Sequence, residues 1–529
     1  MAKKVQSWFP ADAQEILSRR LQGAKEYRRL FEYQWLENKI TLRGEGFDRQ
    51  KGNAPDDVAY NSLLEGHGQP PDETDSEIQM NYTFKFKRFI HSQLAANPPS
   101  ALVSPTSPDS DDAQKAEASD RVLQHAFRHD GFQEIFDNMN DKMLTYGSGW
   151  IKSIYNPDGG ELRSYDKSSK MIEMEGKIEV TSPQTENIWI DPEARRWKDV
   201  RYIFERHSLS YEDAVFQFPH KKDLIEAHLV KTHKDHDNRE LVRNFSDIYR
   251  FEPKLEVYEY YEKALPTNGM AGRHVILLDG GLFLQDMQDN PHCDGELPYH
   301  LMTYLDDIDS VYGRSIVEYC TRIQDTLNNL DSAILANLQA HSNIQMAIPE
   351  GAEVDESALT GSTLDIIRYT GQVPPNFVAA PSMMPDIWKY RESLITALQD
   401  LFGINDSMMG IQRREQSAAS QQTSVESGTM IHRRVFVKQE AIVESVNCRY
   451  LALAIKHWED KQAIDVVGKE NALDVVHLRG TDLAGGVDVK VEHGTSLPQD
   501  PNMRREMMML YKDIFMDAGV SSKQFLKHM

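Results

Sequence analysis

Between Arg314 and Asn343 the chain contains neither glycine nor proline, and Ile316, Cys320, Ile323, Leu327, Leu330, Ile334 and Leu338 recur at steps of three and four. That spacing puts them on one stripe of an α-helix. About 29 residues at ~1.5 Å each make a rod on the order of 45 Å. One apolar stripe on such a rod must be covered, either inside its own chain or by a neighbouring copy. Residues 344–382 end the rod, with Pro349, Gly351, Gly361, Gly371, Pro374, Pro375 and Pro381 between short strand-like pieces such as Leu364–Tyr369. A second helix runs from Pro385, suited to a first helical position, through Trp388, Leu394, Ile395 and Leu398 to Phe402, with Gly403 as its stop. A polar stretch, Asn405–Thr423, leads into a third long helix over 424–460. Beyond it the pattern predicts a short strand, Val487–Glu492, and a Met-rich helix over 502–517.

The N-terminal half begins with a helix over 11–39, in which Ile16, Leu17, Leu21, Tyr27, Leu30, Phe31 and Trp35 share helical spacing behind Pro10 and Asp12. Residues 44–75 are polar and rich in glycine and proline, the pattern of a long loop that is either an arm or disordered. Helices over 77–95, 113–129 and 132–146 follow, with a Ser/Asp-rich connector at Ser104–Asp112. At Gly147-Ser148-Gly149 the period changes to two. Turn chemistry then predicts one hairpin of Trp150–Tyr155 with Glu161–Tyr165, and a second of Met171–Met174 with Lys177–Val180 about Glu175-Gly176. Further strand-like runs at 186–190, 201–207, 255–262, 274–278, 282–285 and 298–304 make 147–305 a β-rich unit, with short helices near 211–230. The fold class expected is α+β.

The 529 residues suggest about three or four structural units. At 40% hydrophobic and 27% charged, the balance is that of a soluble chain with a core. No apolar run approaches the roughly 20 residues that span a bilayer, and no apolar stretch follows Lys3-Lys4, which argues against secretion. Cys293, Cys320 and Cys448 are the only cysteines, so a disulfide framework and a four-cysteine zinc site are excluded and a reducing compartment is expected. Net charge is −23, a poor basis for gripping phosphates or anionic membranes. It is compatible with a protein past which DNA must slide.

Phosphate-cradling, dinucleotide, nucleophile-elbow and zincin motifs are all absent, which lowers the expectation of an enzyme. Three constellations bear on chemistry. His228, His233 and His236 lie in a charged run whose five-residue step does not converge on a helix face, and a solvated segment is expected. Asp306, Asp307 and Asp309 could hold a divalent cation, or serve a metal-dependent nuclease or hydrolase. Helix capping is the simpler reading, since a helix follows. His292-Cys293-Asp294 lies between Pro291 and Gly295 and reads as a loop. Arg413-Arg414, within Gln412-Arg413-Arg414-Glu415-Gln416, and Arg433-Arg434 are the basic doublets of the helical C-terminal half. Each is either a solvated surface or a DNA contact. Arg433 and Arg434 could instead pair with acids along the third helix.

Three strings occur in a telling order: Leu144-Thr145-Tyr146-Gly147-Ser148-Gly149-Trp150-Ile151-Lys152; Asn187-Ile188-Trp189-Ile190-Asp191-Pro192-Glu193-Ala194 with Tyr202-Ile203-Phe204-Glu205-Arg206; and Tyr312-Gly313-Arg314-Ser315 leading to Gln324-Asp325-Thr326-Leu327-Asn328-Asn329-Leu330. With helix, broken segment, helix, polar loop and helix behind them, the chain over roughly 10–500 resembles the portal proteins (head–tail connectors) of tailed double-stranded DNA phages, most of all those of short-tailed phages. The resemblance implies a non-enzymatic dodecameric ring at one capsid vertex, in the virion and assembled in the host cytoplasm. It would be the channel for genome packaging and ejection, the alternatives being the metal-dependent enzyme above or another virion assembly protein. Implied partners are the terminase large subunit, a tail adaptor, the major capsid and scaffolding proteins, and the DNA in transit, with no cofactor, metal or membrane.

The same resemblance divides the chain. Residues 1–75 would be an N-terminal helix and extended loop, 76–310 the wing, 311–343 the first stem helix, and 344–382 a small α/β clip. Residues 383–404 would be the second stem helix, 405–423 the tunnel loop, 424–460 a long wing helix, and 461–529 the wing edge and a short crown. The tunnel loop would present Gln412, Arg413, Arg414 and Gln416 to DNA, with Arg433 and Arg434 as possible further contacts.

Overall fold

A computed structural model describes residues 13–44, 80–96, 99, 101–107, 109–157, 159–160, 162–166, 171–228, 254–264, 272–290, 295–342, 345–347, 353–354, 369–370, 376–378, 385–406, 408–409, 418–458, 462–467, 473–483, 485 and 487–491. The chain divides into two units, Met1–Trp35 with Arg88–Ile316 and Gln412–Met529, and Leu36–Lys87 with Val317–Ile411.

The N-terminal apolar spacing forms helix α1 (Ala13–Arg43), followed by α2 (Tyr82–Ala96), β1 (Ala101–Pro105), α3 (Ser110–His129) and α4 (Phe132–Tyr146). Gly147, with φ +86, stops α4 in a left-handed turn, and its N–H caps the Met143 carbonyl. A three-stranded antiparallel sheet has the order β11 (Tyr299–Thr303), β2 (Ser148–Asn156), β5 (Lys177–Thr181). A five-stranded antiparallel sheet has the order β10 (Gln288–Asp289), β9 (Arg273–Leu278), β8 (Lys254–Glu262), β7 (Tyr202–Ser210), β6 (Ile188–Ile190). The expected strand at 282–285 is reduced to a single bridge between Leu277 and Phe283. Helix α5 (Tyr211–Gln217) and a helical turn over 222–228 follow β7.

The two hairpins expected after Gly149 do not form. β2 pairs with β5, while β3 (Leu162–Asp166) pairs with β4 (Met171–Met174). This is a nested ribbon rather than two consecutive hairpins. The glycines read as turns lie opposite each other: the Gly176 N–H donates to the Gly159 carbonyl at 3.0 Å, and Gly160 and Gly176 have φ of +86 and +77. A Cβ on Gly176 would lie 1.9 Å from the Tyr155 hydroxyl, so glycine here marks a close crossing in mid-ribbon.

Tyr312 anchors the aromatic core of this unit. It packs edge-on against Trp35 at 5.4 Å and meets Phe31 at 5.3 Å, and its hydroxyl donates to the Ile188 carbonyl at 3.0 Å. Trp150, Tyr299 and Ile203 are buried in the same cluster. Burying each large side chain contributes about 1.5–3 kcal/mol. Two of the strings singled out in the sequence meet here. The Gly313 N–H donates to Ser148 Oγ at 2.8 Å, the Ser315 hydroxyl donates to the Leu144 carbonyl, and a Cβ on Gly147 would lie 2.4 Å from the Gly313 carbonyl oxygen. Both glycines are required by backbone crossing backbone.

The rod is α6 (Ile316–Ser342). In the second unit its apolar stripe is buried at Val317, Cys320, Leu327 and Ile334, while Leu338 is exposed. Beside it runs a buried polar stripe of Thr321, Gln324, Asn328 and Asp331. Gln324 Oε1 accepts from both the Thr83 N–H and hydroxyl, and its Nε2 donates to the Met80 carbonyl and to Asn328. Arg391 on α7 (Asp386–Phe402) clamps Asp331 through two nitrogens. Between α6 and α7 lie two short antiparallel pairs, β12 (Gln345–Ala347) with β15 (Asn376–Val378) and β13 (Glu353–Val354) with β14 (Tyr369–Thr370). Leu364–Arg368 lie outside the described residues. Gly403, with φ +64, closes α7 as its sequence position implied.

The third long helix, α8 (Ala418–His457), starts six residues before the expected 424. Ala418-Ala419-Ser420-Gln421-Gln422-Thr423 lacks bulky apolar groups, but alanine and glutamine favour helix without them. Unforeseen elements are β1, which pairs with β18 (Val487–Val491), and a hairpin of β16 (Gln462–Val467) with β17 (Leu473–Leu478). The expected helix 502–517 and loop 44–75 lie outside the described residues, apart from the turn at Gly44.

Candidate functional site

Asp306, Asp307 and Asp309, offered by the sequence as a cation site or as helix caps, do not cap a helix. They sit on the loop after β11, and α6 begins only at Ile316. Asp306 accepts from the Thr303 hydroxyl at 2.6 Å, from Arg434 at 2.6 Å and from the Lys438 ammonium. Lys438 also donates to the Thr303 carbonyl and hydroxyl. Asp307 accepts from Arg314 at 2.8 Å and from the Asp309 N–H at 3.1 Å. Partial burial pushes both carboxyls up, but the lysine and arginine charges and the hydrogen bonds outweigh it and hold both below the usual range. Cations supplied by the chain itself thus pair with both carboxylates.

Arg434 takes part in the same contact. Its guanidinium is exposed on α8 and is held by Asp306, an acid 128 residues earlier in the chain rather than one along its own helix. Arg433 is exposed one position before it. Gln412, Arg413, Arg414 and Gln416 lie outside the described residues, as do His233, His236 and His292-Cys293-Asp294. His228 ends the helical turn over 222–228.

A second charged cluster was not foreseen. Glu205 on β7 and Glu259 on β8 are paired directly across the five-stranded sheet, an arrangement of like charges that is destabilising by itself. Lys152, on β2 of the other sheet, donates to Glu205 at 2.7 Å and Glu259 at 2.6 Å, with its side chain 5% exposed. The Tyr299 hydroxyl donates to Glu205 at 2.7 Å and the Tyr261 hydroxyl to Glu259 at 2.6 Å. His207 and His274 place Nε2 at 3.1 and 3.0 Å from Glu259. Burial opposes charge on both partners, yet Lys152 is held above its ordinary value and Glu259 well below its own, because each faces the other's charge.

Glu205, His207 and Glu259 bring ligand atoms within 4.8 Å of one another, the one such group of three among the described residues. Lys152 fills the position between the two glutamates, so the cluster joins two sheets in the manner of a buried salt bridge. A signal for it existed: Lys152 is flanked by Trp150, Ile151 and Ile154 in a strand, and a lysine in such company needs an acid partner.

A family model described as phage P22-like portal protein matches residues 63–514. No curated protein matches the chain. Among solved structures, a chain in the virion of a native gene transfer agent particle is similar at 13% identity and a TM-score of 0.33, over 84% of this chain and 89% of that one. A chain in the neck of a native gene transfer agent particle, computed with C12 symmetry, is similar at 12% identity and a TM-score of 0.32, over 84% and 88%.

Proposed function

The chain belongs to the phage P22-like portal protein family, and from that premise we propose that it closes into a dodecameric ring at one capsid vertex, through which the genome is packaged and ejected. The match over residues 63–514 carries this reading. The two charged clusters support a conduit with no reaction of its own, since each pairs its acids with cations of the chain. The net charge of −23 supports passage rather than grip, because a ring of such chains repels phosphates and keeps a duplex centred.

In this reading 76–310 is the wing, and α6 and α7 are the stem on either side of a clip at 344–382. The terminase motor, and later a tail adaptor, dock on that clip. The tunnel loop is the stretch 405–423, into which α8 extends from Ala418, and Gln412, Arg413, Arg414 and Gln416 face the channel. Arginines repeated round a ring give brief, dispersed phosphate contacts.

Single-particle electron microscopy of the purified chain tests the reading. A closed ring with an axial hole, about 730 kDa for twelve copies of a 60.6 kDa chain, is expected. A monomer or dimer at every concentration overturns it. With rings in hand, Arg413→Ala/Arg414→Ala should lower DNA packaged per particle while ring yield stays constant. Unchanged packaging removes these two residues from the channel.

A further inference from the structure

The first unit contains a cavity of about 690 Å³ whose walls come from α2, α3, α4 and α8, among them Leu94, Phe127, Asp137, Asn140 and Gln439. It adjoins an apolar pocket of about 280 Å³ that shares Phe127, Arg128 and Phe136 and adds Leu123, Phe132 and Val443. Carboxylates predominate on the lining, with Asp120, Glu134 and Asp137 against Arg128. The occupant best suited to the double cavity therefore carries an apolar group and, nearby, cationic donors.

Among the described residues, Phe216 is the most exposed apolar side chain with cations close behind it. Phe216, at the end of α5, is 85% exposed, and His220, Lys221 and Lys222 follow it. The two lysines are held only loosely in their own copy, Lys221 at 4.0 Å from Asp286 and Lys222 at 3.7 Å from Glu226. Two other strongly exposed apolar residues fit less well. Ile308, 89% exposed, is surrounded by Asp306, Asp307 and Asp309, the wrong sign for an acidic cavity. Leu30, 75% exposed, lies on the flank of a 31-residue helix and does not project beyond it.

We propose that the cavity between Phe127, Phe136, Asn140 and Gln439 receives Phe216 and its lysines from a neighbouring copy of this chain. The phenyl ring enters the Phe-lined pocket, and a lysine ammonium meets the carboxylates of the lining. The contact is heterologous, with knob and hole on different parts of one subunit, which is the geometry by which identical chains close a ring. It rests on the ring reading above and adds to it which surfaces meet.

The test replaces Phe216 with the photo-cross-linker p-benzoylphenylalanine in the full chain, assembled from mixed ¹⁴N and ¹⁵N subunits. Irradiated rings should yield cross-links between light and heavy chains that join residue 216 to peptides within 120–140 or 439–447. Rings whose residue 216 links elsewhere, or to nothing, overturn this contact and leave the ring reading standing. Failure to form rings at all, seen by microscopy of the unmodified chain, overturns both. As a second arm, Phe216→Asp should cut the fraction of chain in rings by about tenfold at fixed concentration, the scale of a buried aromatic anchor. The thermal midpoint of its monomer should stay unchanged because the side chain is exposed. Unaltered ring formation overturns the proposal.

Discussion

The Glu205–Glu259 pair and the Asp306–Asp307 pair solve one problem in two environments. In both, closely placed carboxylates are met by a lysine or arginine of the chain, for Asp306 from 128 and 132 residues away and for Asp307 from Arg314, 7 residues on. Between the sheets, Lys152, Glu205 and Glu259 are 5%, 7% and 14% exposed, and two tyrosine hydroxyls complete the network. On the loop, Asp306 is 44% and Arg434 76% exposed. The difference teaches what each is for. A buried pair adds little net stability over an apolar replacement, but removing one partner strands a charge, so it enforces one way of stacking the two sheets. A solvated pair is screened and nearly neutral in energy, and serves to settle the loop against α8.

The sharpest way to break this contrast is Lys152→Met, which leaves two facing carboxylates without their cation. It should destabilise the chain by about 3–5 kcal/mol in denaturant titration. Lys152→Met combined with Glu205→Gln and Glu259→Gln should recover much of that loss. If Lys152→Met alone is neutral, the cluster does not hold the sheets. The pH dependence has a definite sign. Glu259, depressed in the folded state, contributes stability that is present above the ordinary carboxyl pKa near 4.3 and lost as pH falls through its folded value. Lys152, raised in the folded state, contributes stability that is present below about 10.4 and lost only as pH rises through its folded value. The thermal midpoint should therefore fall in acid more steeply for the native chain than for the triple variant.

A smaller effect is expected for Tyr299→Phe, which removes only the hydroxyl that donates to Glu205. About 1.5–3 kcal/mol should be lost in the same titration, the range for a hydrogen bond to a charged group. The smallest belongs to the loop. Asp306→Asn should change stability by about 1 kcal/mol or less, and 0.5 M salt should erase most of the difference. A loss as large as that of Lys152→Met, or one insensitive to salt, would show that the two clusters are not different in kind.

Much of the architecture was legible locally. Seven apolar residues at helical spacing marked α6 to within two residues at either end, and Gly403 stopped α7 where glycine is expected to. The change of period at Gly147 marked the β-rich region. Strand partners were not legible. Asn156 to Gly160 carries the chemistry of a tight turn, but the same residues suit a bend opposite Gly176, and only the crossing of Tyr155 over Gly176 shows which is realised. The candidate sites fared similarly. Arg413 and Arg414 stood out because they interrupt a polar run, whereas Lys152 looked like one more charged residue in a strand.

What the sequence determined by itself is set by neighbours three or four residues apart: which stretches are helices, which alternate, where glycine stops them, and that the whole chain is strongly acidic. Tertiary structure alone decided which strand lies beside which, and that Asp306 meets Lys438 and Lys152 meets Glu205 and Glu259. Periodicity records that a face is buried, but a charge 53, 107 or 132 residues away leaves no trace in it. Only packing brings such groups close enough for Coulomb attraction to outweigh desolvation.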